Sequence, residues 1–108
     1  MIMFASKIVQ EFKSRIETVL AGNLQKVYWF GSSSRAQNDA DSDIDLLVET
    51  KYPVNASQRD EIADVAIDLC AETGLVLDIH YYTSEEISTP PYSHSPFIET
   101  ITQEGIHA

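Results

Sequence analysis

Two segments of the chain repeat apolar residues at the spacing of an α-helix. The first covers residues 3–21, and the second runs from about residue 57 to residue 73. Gly74 directly follows the second segment, where a glycine commonly ends a helix. The apolar positions are Phe4, Ile8, Phe12, Ile16, Val19 and Leu20 in the first segment, and Ile62, Val65, Ala66, Leu69 and Cys70 in the second. We therefore expect two long amphipathic helices.

Three other segments have the composition or the alternation of β-strands. Residues 27–30 form a short β-prone run, and residues 75–82 form a mostly apolar run. In residues 43–49, apolar side chains alternate with acidic ones, as in a strand with one packed face. This pattern predicts that Ile44 and Leu46 point into the core.

The C-terminal part of the chain is predicted as a loop followed by a short helix. Residues 83–96 hold three of the four prolines and several serines, which favours a surface loop. A short helix is expected from Phe97 to a stop at Gly105, with an extended tail after it. The whole order predicts an α+β (mixed α/β) fold in which a short mixed sheet packs on two long helices, with residues 1–108 forming one domain.

Composition narrows the possible ligands. The 108 residues include 7 Lys and Arg against 17 Asp and Glu, which gives a formal net charge of −10. Such an acidic chain is poorly suited to neutralise the phosphates of duplex nucleic acid or to bind anionic membranes through basic residues. A phosphorylated ligand would need cations from outside the chain, and divalent metal ions are the obvious source.

Cysteine content and the N-terminus bear on location. Cys70 is the single cysteine, so an intramolecular disulfide is impossible. The apolar stretch at the N-terminus is too short for a signal peptide, and the sequence holds no run long enough to span a bilayer. We expect a cytoplasmic protein.

Three aspartates are candidates for a metal site. Asp43 and Asp45 are two positions apart on a predicted strand, so their side chains share one face. Two close carboxylates repel each other unless a cation lies between them, and Mg²⁺ prefers oxygen ligands of this kind. Asp78 interrupts an apolar run, where a charge is costly without a partner. If the third strand lies beside the second, Asp78 reaches the same site.

A glycine and a serine precede this acidic pair and are candidates for binding phosphate. Gly31 ends the first predicted strand, where it lets the backbone approach a ligand closely. Ser32 opens a turn whose N–H groups and hydroxyl can hold phosphate oxygens. Arg35 is the cation of this segment and a candidate phosphate contact.

The arrangement of Gly31-Ser32, ten residues, Asp43-Ile44-Asp45 and a later strand aspartate resembles the DNA-polymerase-β-like nucleotidyltransferase superfamily. The length and the order of elements are similar to its smallest members, the minimal nucleotidyltransferases. The resemblance implies that Asp43, Asp45 and Asp78 are catalytic residues and metal ligands, for two Mg²⁺ ions or for Mn²⁺. It also implies that Asp78 assists deprotonation of the acceptor hydroxyl and that Ser32 contacts the nucleotide triphosphate.

Minimal nucleotidyltransferases typically act with a HEPN-domain protein in a toxin–antitoxin pair. The resemblance therefore implies an antitoxin that transfers AMP from ATP to a tyrosine of a HEPN-domain toxin. Acceptor recognition by a second chain suits a domain with little surface to spare. The sequence leaves open the acceptor, the nucleobase preference and the number of AMP units transferred. It also leaves open whether the chain forms an oligomer with itself or with a partner.

Other interpretations stay open beside this one. Many members carry Arg where this chain has Ser33 and Gly where it has Ala36, so a catalytically weak module that neutralises a partner by occlusion is the alternative function. Transfer to a small molecule would need a further domain for the acceptor. The candidate site residues also have structural explanations: Asp43 and Asp45 as the solvent face of an edge strand, Asp78 in an ion pair, Ser32 in a turn and Arg35 as a surface cation. His80 lies two positions after Asp78 on the same strand face, so it either borders the site or is a solvated or core-rim histidine.

Overall fold

A computed structural model describes residues 2–30, 44–104 and 106–107. The elements in chain order are α1 (Ile2–Leu20), a 3₁₀ turn (Ala21–Asn23), β1 (Leu24–Phe30), β2 (Ile44–Thr50), α2 (Ala56–Thr73), β3 (Leu77–Thr83), α3 (Ser84–Ser88), a second 3₁₀ turn (Tyr92–His94), α4 (Pro96–Glu104) and β4 (Ile106–His107). In the part of the chain described, no helix combines the length and the apolar character needed to cross a bilayer.

The strands form one mixed sheet in the order β3-β2-β1-β4. β1 pairs antiparallel with both β2 and β4, whereas β2 and β3 run parallel. Parallel neighbours need a crossover connection, and α2 supplies it. The predicted mixed sheet is confirmed, and the parallel pairing places the third predicted strand directly beside the second.

The two long helices cover one face of the sheet, as predicted. Phe12 and Ile16 of α1 are completely buried, and so is Ile62 of α2. They pack in one core cluster with alternate residues of the strands, namely Val27, Trp29, Ile44, Leu46 and Val48. The inward alternation predicted for Ile44 and Leu46 is therefore confirmed.

The opposite face of the sheet is also packed, which corrects the expectation that β2 has a single packed face. Leu47 points away from the long helices, yet it is completely buried. It packs in a second cluster with Tyr28 of β1 and with Ile98 and Ile101 of α4. Apolar Leu47 interrupts the alternation of apolar and acidic residues along β2. It is buried because α4 covers the middle of the second face, whereas Asp45 and Glu49 nearer the ends of β2 stay partly accessible.

Local capping explains where α2 begins and ends. Asn55 accepts a hydrogen bond from the Gln58 N–H at 2.8 Å, and the Gln58 side chain accepts one from the Asn55 N–H at 3.2 Å. This reciprocal pair satisfies two backbone donors at the helix start. Gly74 ends the helix with φ of 80°, a left-handed conformation that glycine adopts without strain.

The surface loop predicted over residues 83–96 is wrong in part, because α3 and a 3₁₀ turn lie within it. Thr83 and Glu86 form a capping box at the start of α3, with reciprocal hydrogen bonds of 3.1 and 2.9 Å. Their spacing is a recognised signal for the start of a helix. The three prolines farther along the segment favoured a loop, so the prediction missed this helix start.

Candidate active site

The parallel pairing of β2 and β3 brings two of the predicted aspartates side by side. Asp45 and Asp78 are register partners on adjacent strands. Because side chains alternate along a strand, both lie on the face opposite the long helices. Asp45 is half-buried and Asp78 is 54% exposed, so the pair lies at an accessible edge of the sheet.

His80 joins the two aspartates on this face. Its Nε2 atom lies 3.5 Å from Asp78 Oδ2, and the imidazole is 36% exposed. One donor atom from each of Asp45, Asp78 and His80 lies within 4.8 Å of the other two. Of the two interpretations that the sequence left open for His80, the structure supports a place beside the site.

An aromatic cluster borders the carboxylates and contacts His80. The ring centroids of Phe30 and His80 are 5.8 Å apart, and those of His80 and Phe97 are 5.3 Å apart. Phe30 and Phe97 also pack edge to face at 5.5 Å. Phe30 is the register partner of Asp45 on β1, so the cluster lies directly beside the acidic pair. Phe97 was predicted only as a helix residue, because nothing in its local sequence shows that α4 packs here.

The other candidates lie outside the described residues. These are Gly31, Ser32, Arg35 and Asp43. Their roles as phosphate contacts and as a metal ligand stay predictions from sequence. Asp43 precedes β2 directly, two positions before Asp45.

The donor set fits a divalent cation. Bonds of 2.0–2.6 Å, as for Mg²⁺ and Ca²⁺, place donors on opposite sides of an ion roughly 4–5 Å apart, so donor atoms within 4.8 Å of one another can share one ion. Carboxylate oxygens suit Mg²⁺ and Mn²⁺. A cation would also offset the repulsion between Asp45 and Asp78.

A second polar contact on this face involves Glu49 and has a structural role. The Tyr28 hydroxyl donates to Glu49 Oε1 at 3.2 Å, and the Ser84 hydroxyl donates to Glu49 Oε2. These bonds connect β1, β2 and the start of α3. Burial, followed by the charge of Glu49 and its hydrogen bond, raises the pKa of Tyr28 from 10.0 to about 12.

The raised pKa of Tyr28 predicts a loss of stability at alkaline pH. The unfolded chain releases the phenol proton near pH 10, whereas the folded protein holds it to about pH 12, so the free energy of unfolding should fall across this window. Tyr28→Phe should cost about 1 kcal/mol at neutral pH, since one hydrogen bond is lost. It should also flatten the alkaline decline, as measured by urea unfolding over the same pH range. Equal declines in both proteins would contradict the assignment.

A separate cavity of about 590 Å³ lies at the other end of β2 and β3. Its lining includes Thr50, Thr83 and Tyr81, over whose ring the Arg59 guanidinium stacks at 4.7 Å from the centroid. Burial raises the pKa of Tyr81, and the charge of Arg59 partly opposes that shift. None of Asp45, Asp78 and His80 lines this cavity, so it is distinct from the acidic cluster.

Comparison of the sequence with known proteins shows the family to which the chain belongs. The nucleotidyltransferase domain family matches residues 5–106 of the chain. A protein of Methanocaldococcus jannaschii named "Putative protein adenylyltransferase MJ0141" is 35% identical over 60 residues, which are 56% of this chain and 61% of that protein. A second protein of the same organism, "Putative protein adenylyltransferase MJ0604", is 27% identical over 103 residues, which cover 95% of this chain and 96% of the relative.

A solved structure shares the fold. The toxin-antitoxin MntA-HpeT, crystallised in a mutant form, superposes with a TM-score of 0.51 and 21% sequence identity. The superposition covers 88% of this chain and 70% of that chain. This likeness supports the mixed α+β architecture predicted from the sequence.

Proposed function

We propose that this chain, which belongs to the nucleotidyltransferase domain family, transfers AMP from ATP to a tyrosine hydroxyl of a HEPN-domain toxin and so acts as an antitoxin. Membership of this family establishes nucleotidyl transfer as the general activity. The names of the two M. jannaschii relatives support AMP as the transferred group and a protein as the acceptor. The toxin–antitoxin assembly of the structural neighbour supports a toxin partner.

The observation that carries the proposal is the pairing of Asp45 with Asp78 across parallel strands. Two carboxylates from different strands meet at an accessible edge, with His80 beside them. We propose that Asp43 completes the acidic set from its position next to β2. A bound divalent cation would neutralise negative charge that develops on the phosphates during transfer.

The chain's own residues bind the nucleotide, orient it and accept a proton from the acceptor hydroxyl. Gly31 and Ser32 bind the triphosphate through backbone N–H groups and the serine hydroxyl, and Arg35 adds a positive charge. Asp78 has two carboxylate oxygens, so it can hold a cation through one oxygen and accept the proton of the acceptor hydroxyl at the other. Catalysis by positioning and charge neutralisation is typical of phosphoryl-group transfer.

The step balances without any further reactant. The acceptor oxygen forms a bond to the α-phosphorus of ATP, and the bond from that phosphorus to the bridging oxygen of the β-phosphate breaks. Pyrophosphate leaves with the electron pair, and the hydroxyl proton passes to Asp78 and then to solvent. The product is an acceptor that carries AMP through a phosphodiester bond.

The test combines the purified chain, a HEPN-domain toxin as the candidate partner, a divalent cation and ATP labelled on the α-phosphate. We expect label on the partner and a mass increase of one or more AMP units at a tyrosine, located by peptide mass spectrometry. A stable complex that carries no label would overturn the reaction and favour neutralisation by occlusion. Label on an added small-molecule acceptor and none on the partner would overturn the protein acceptor.

A further inference from the structure

His80 offers the site a donor of a different kind from the carboxylates. The three predicted ligands are all oxygen donors, whereas His80 presents the imidazole nitrogen Nε2 toward Asp78. Mg²⁺ is held mainly by oxygen ligands, whereas imidazole nitrogen is a good ligand for first-row transition ions. A nitrogen donor in the set therefore bears on which ion the site selects.

The distance between His80 and Asp78 fits two donors on one ion better than a direct bond between them. Their Nε2 and Oδ2 atoms are 3.5 Å apart. A charge-assisted N–H···O bond spans about 2.7–2.9 Å, so this contact is too long for a strong one. Bonds of about 2.0–2.2 Å to a shared ion place neighbouring donors roughly 3–3.5 Å apart, which agrees with the observed separation.

Packing holds the imidazole in this position. The His80 ring contacts Phe97 of α4 and Phe30 of β1 with centroid distances of 5.3 and 5.8 Å. Phe30 is also the register partner of Asp45, so the same aromatic cluster borders both donors. A ring held on two sides loses little freedom when Nε2 binds an ion, and this preorganisation favours its use as a ligand.

We propose that His80 Nε2 is a ligand of the cation held by Asp45 and Asp78, and that the site therefore binds Mn²⁺ and Co²⁺ in preference to Mg²⁺. This inference rests on the proposed function, since it concerns the same cation. It names the class of ion that would support the transfer. It assigns His80 a role as a ligand and gives it no part in moving a proton.

The test measures metal binding directly, on the full chain without a histidine tag and both with and without a non-hydrolysable ATP analogue. Mn²⁺ binding is followed by electron paramagnetic resonance, and Mg²⁺ is added as a competitor. We expect the pulsed spectrum of bound Mn²⁺ to show hyperfine coupling to a nitrogen. His80→Gln should remove that coupling and weaken Mn²⁺ binding about 10-fold or more, while Mg²⁺ binding changes little.

His94→Gln is the matched control, because His94 is exposed and lies outside the cluster. It should keep both the coupling and the affinity. A wild-type spectrum without nitrogen coupling would overturn the inference, and so would an equal loss of Mn²⁺ and Mg²⁺ affinity in His80→Gln. The wild-type spectrum does not depend on the folding of any variant.

The outcomes separate this inference from the proposed function. If neither ion binds the wild-type chain under either condition, both the His80 ligand and metal-dependent transfer are overturned. If the ions bind without the nitrogen signature, only the role of His80 fails. If the signature is present but no AMP is transferred, the ligand assignment stands and the proposed reaction fails.

Discussion

Asp45→Asn is expected to reduce AMP transfer at least about 100-fold while the protein stays folded. The substitution removes one charged oxygen donor from the pair with Asp78 and leaves the side-chain size nearly unchanged. The free energy of unfolding should stay the same or rise slightly, since repulsion between the two carboxylates disappears. Label transfer and urea unfolding, measured on the same preparation, give both quantities.

Asp64→Asn is the control for Asp45→Asn. It removes the same charge from an exposed position on α2, on the far side of the sheet from the acidic pair. Its transfer rate should equal that of the wild type, which excludes net charge as the cause of the loss. Undiminished transfer by Asp45→Asn would show that this carboxylate takes no part in the reaction. The sequence predicts the same loss for Asp43→Asn.

Phe12→Ala is expected to lower the free energy of unfolding by about 3–5 kcal/mol, since it leaves a cavity under the sheet. The Phe12 side chain is completely buried where α1 packs on the strands. Domains of this size are stable by only about 5–15 kcal/mol, so the loss is a large share of the total. Urea unfolding followed by circular dichroism measures it.

Glu17→Ala, an exposed position on the same helix, is the control for Phe12→Ala. Its effect should stay within about 0.5 kcal/mol, because surface substitutions away from special contacts change stability little. Similar unfolding midpoints for Phe12→Ala and Glu17→Ala would contradict the packing of α1 against the sheet.

The acidic pair shows how far sequence reasoning reaches into the site. The alternation around Asp45 predicted that its side chain points away from the core that Ile44 and Leu46 enter, and the structure confirms this. Asp78 stood out because a charge interrupts an apolar run. The sequence predicted that Asp45 and Asp78 meet only if β3 lies beside β2. The sheet topology shows that it does.

Contacts between distant segments account for what was missed. Leu47 is buried, and His80 is held in an aromatic cluster, because α4 packs on the second face of the sheet. A helical pattern near the C-terminus predicts that helix without indicating which surface it covers. The missed helix α3 is different, since its capping signal at Thr83 and Glu86 was present in the sequence.

Local sequence patterns were enough to predict the helices and strands and the chemistry of the candidate site residues. Periodic apolar residues and capping signals act over a few positions, so α1, α2 and the orientation of Ile44 and Leu46 could be predicted. The pairing of Asp45 with Asp78, and the contacts of His80 with both Asp78 and Phe97, follow from the three-dimensional packing alone. Strand order and helix docking depend on the packing of the whole core, and no local pattern encodes them.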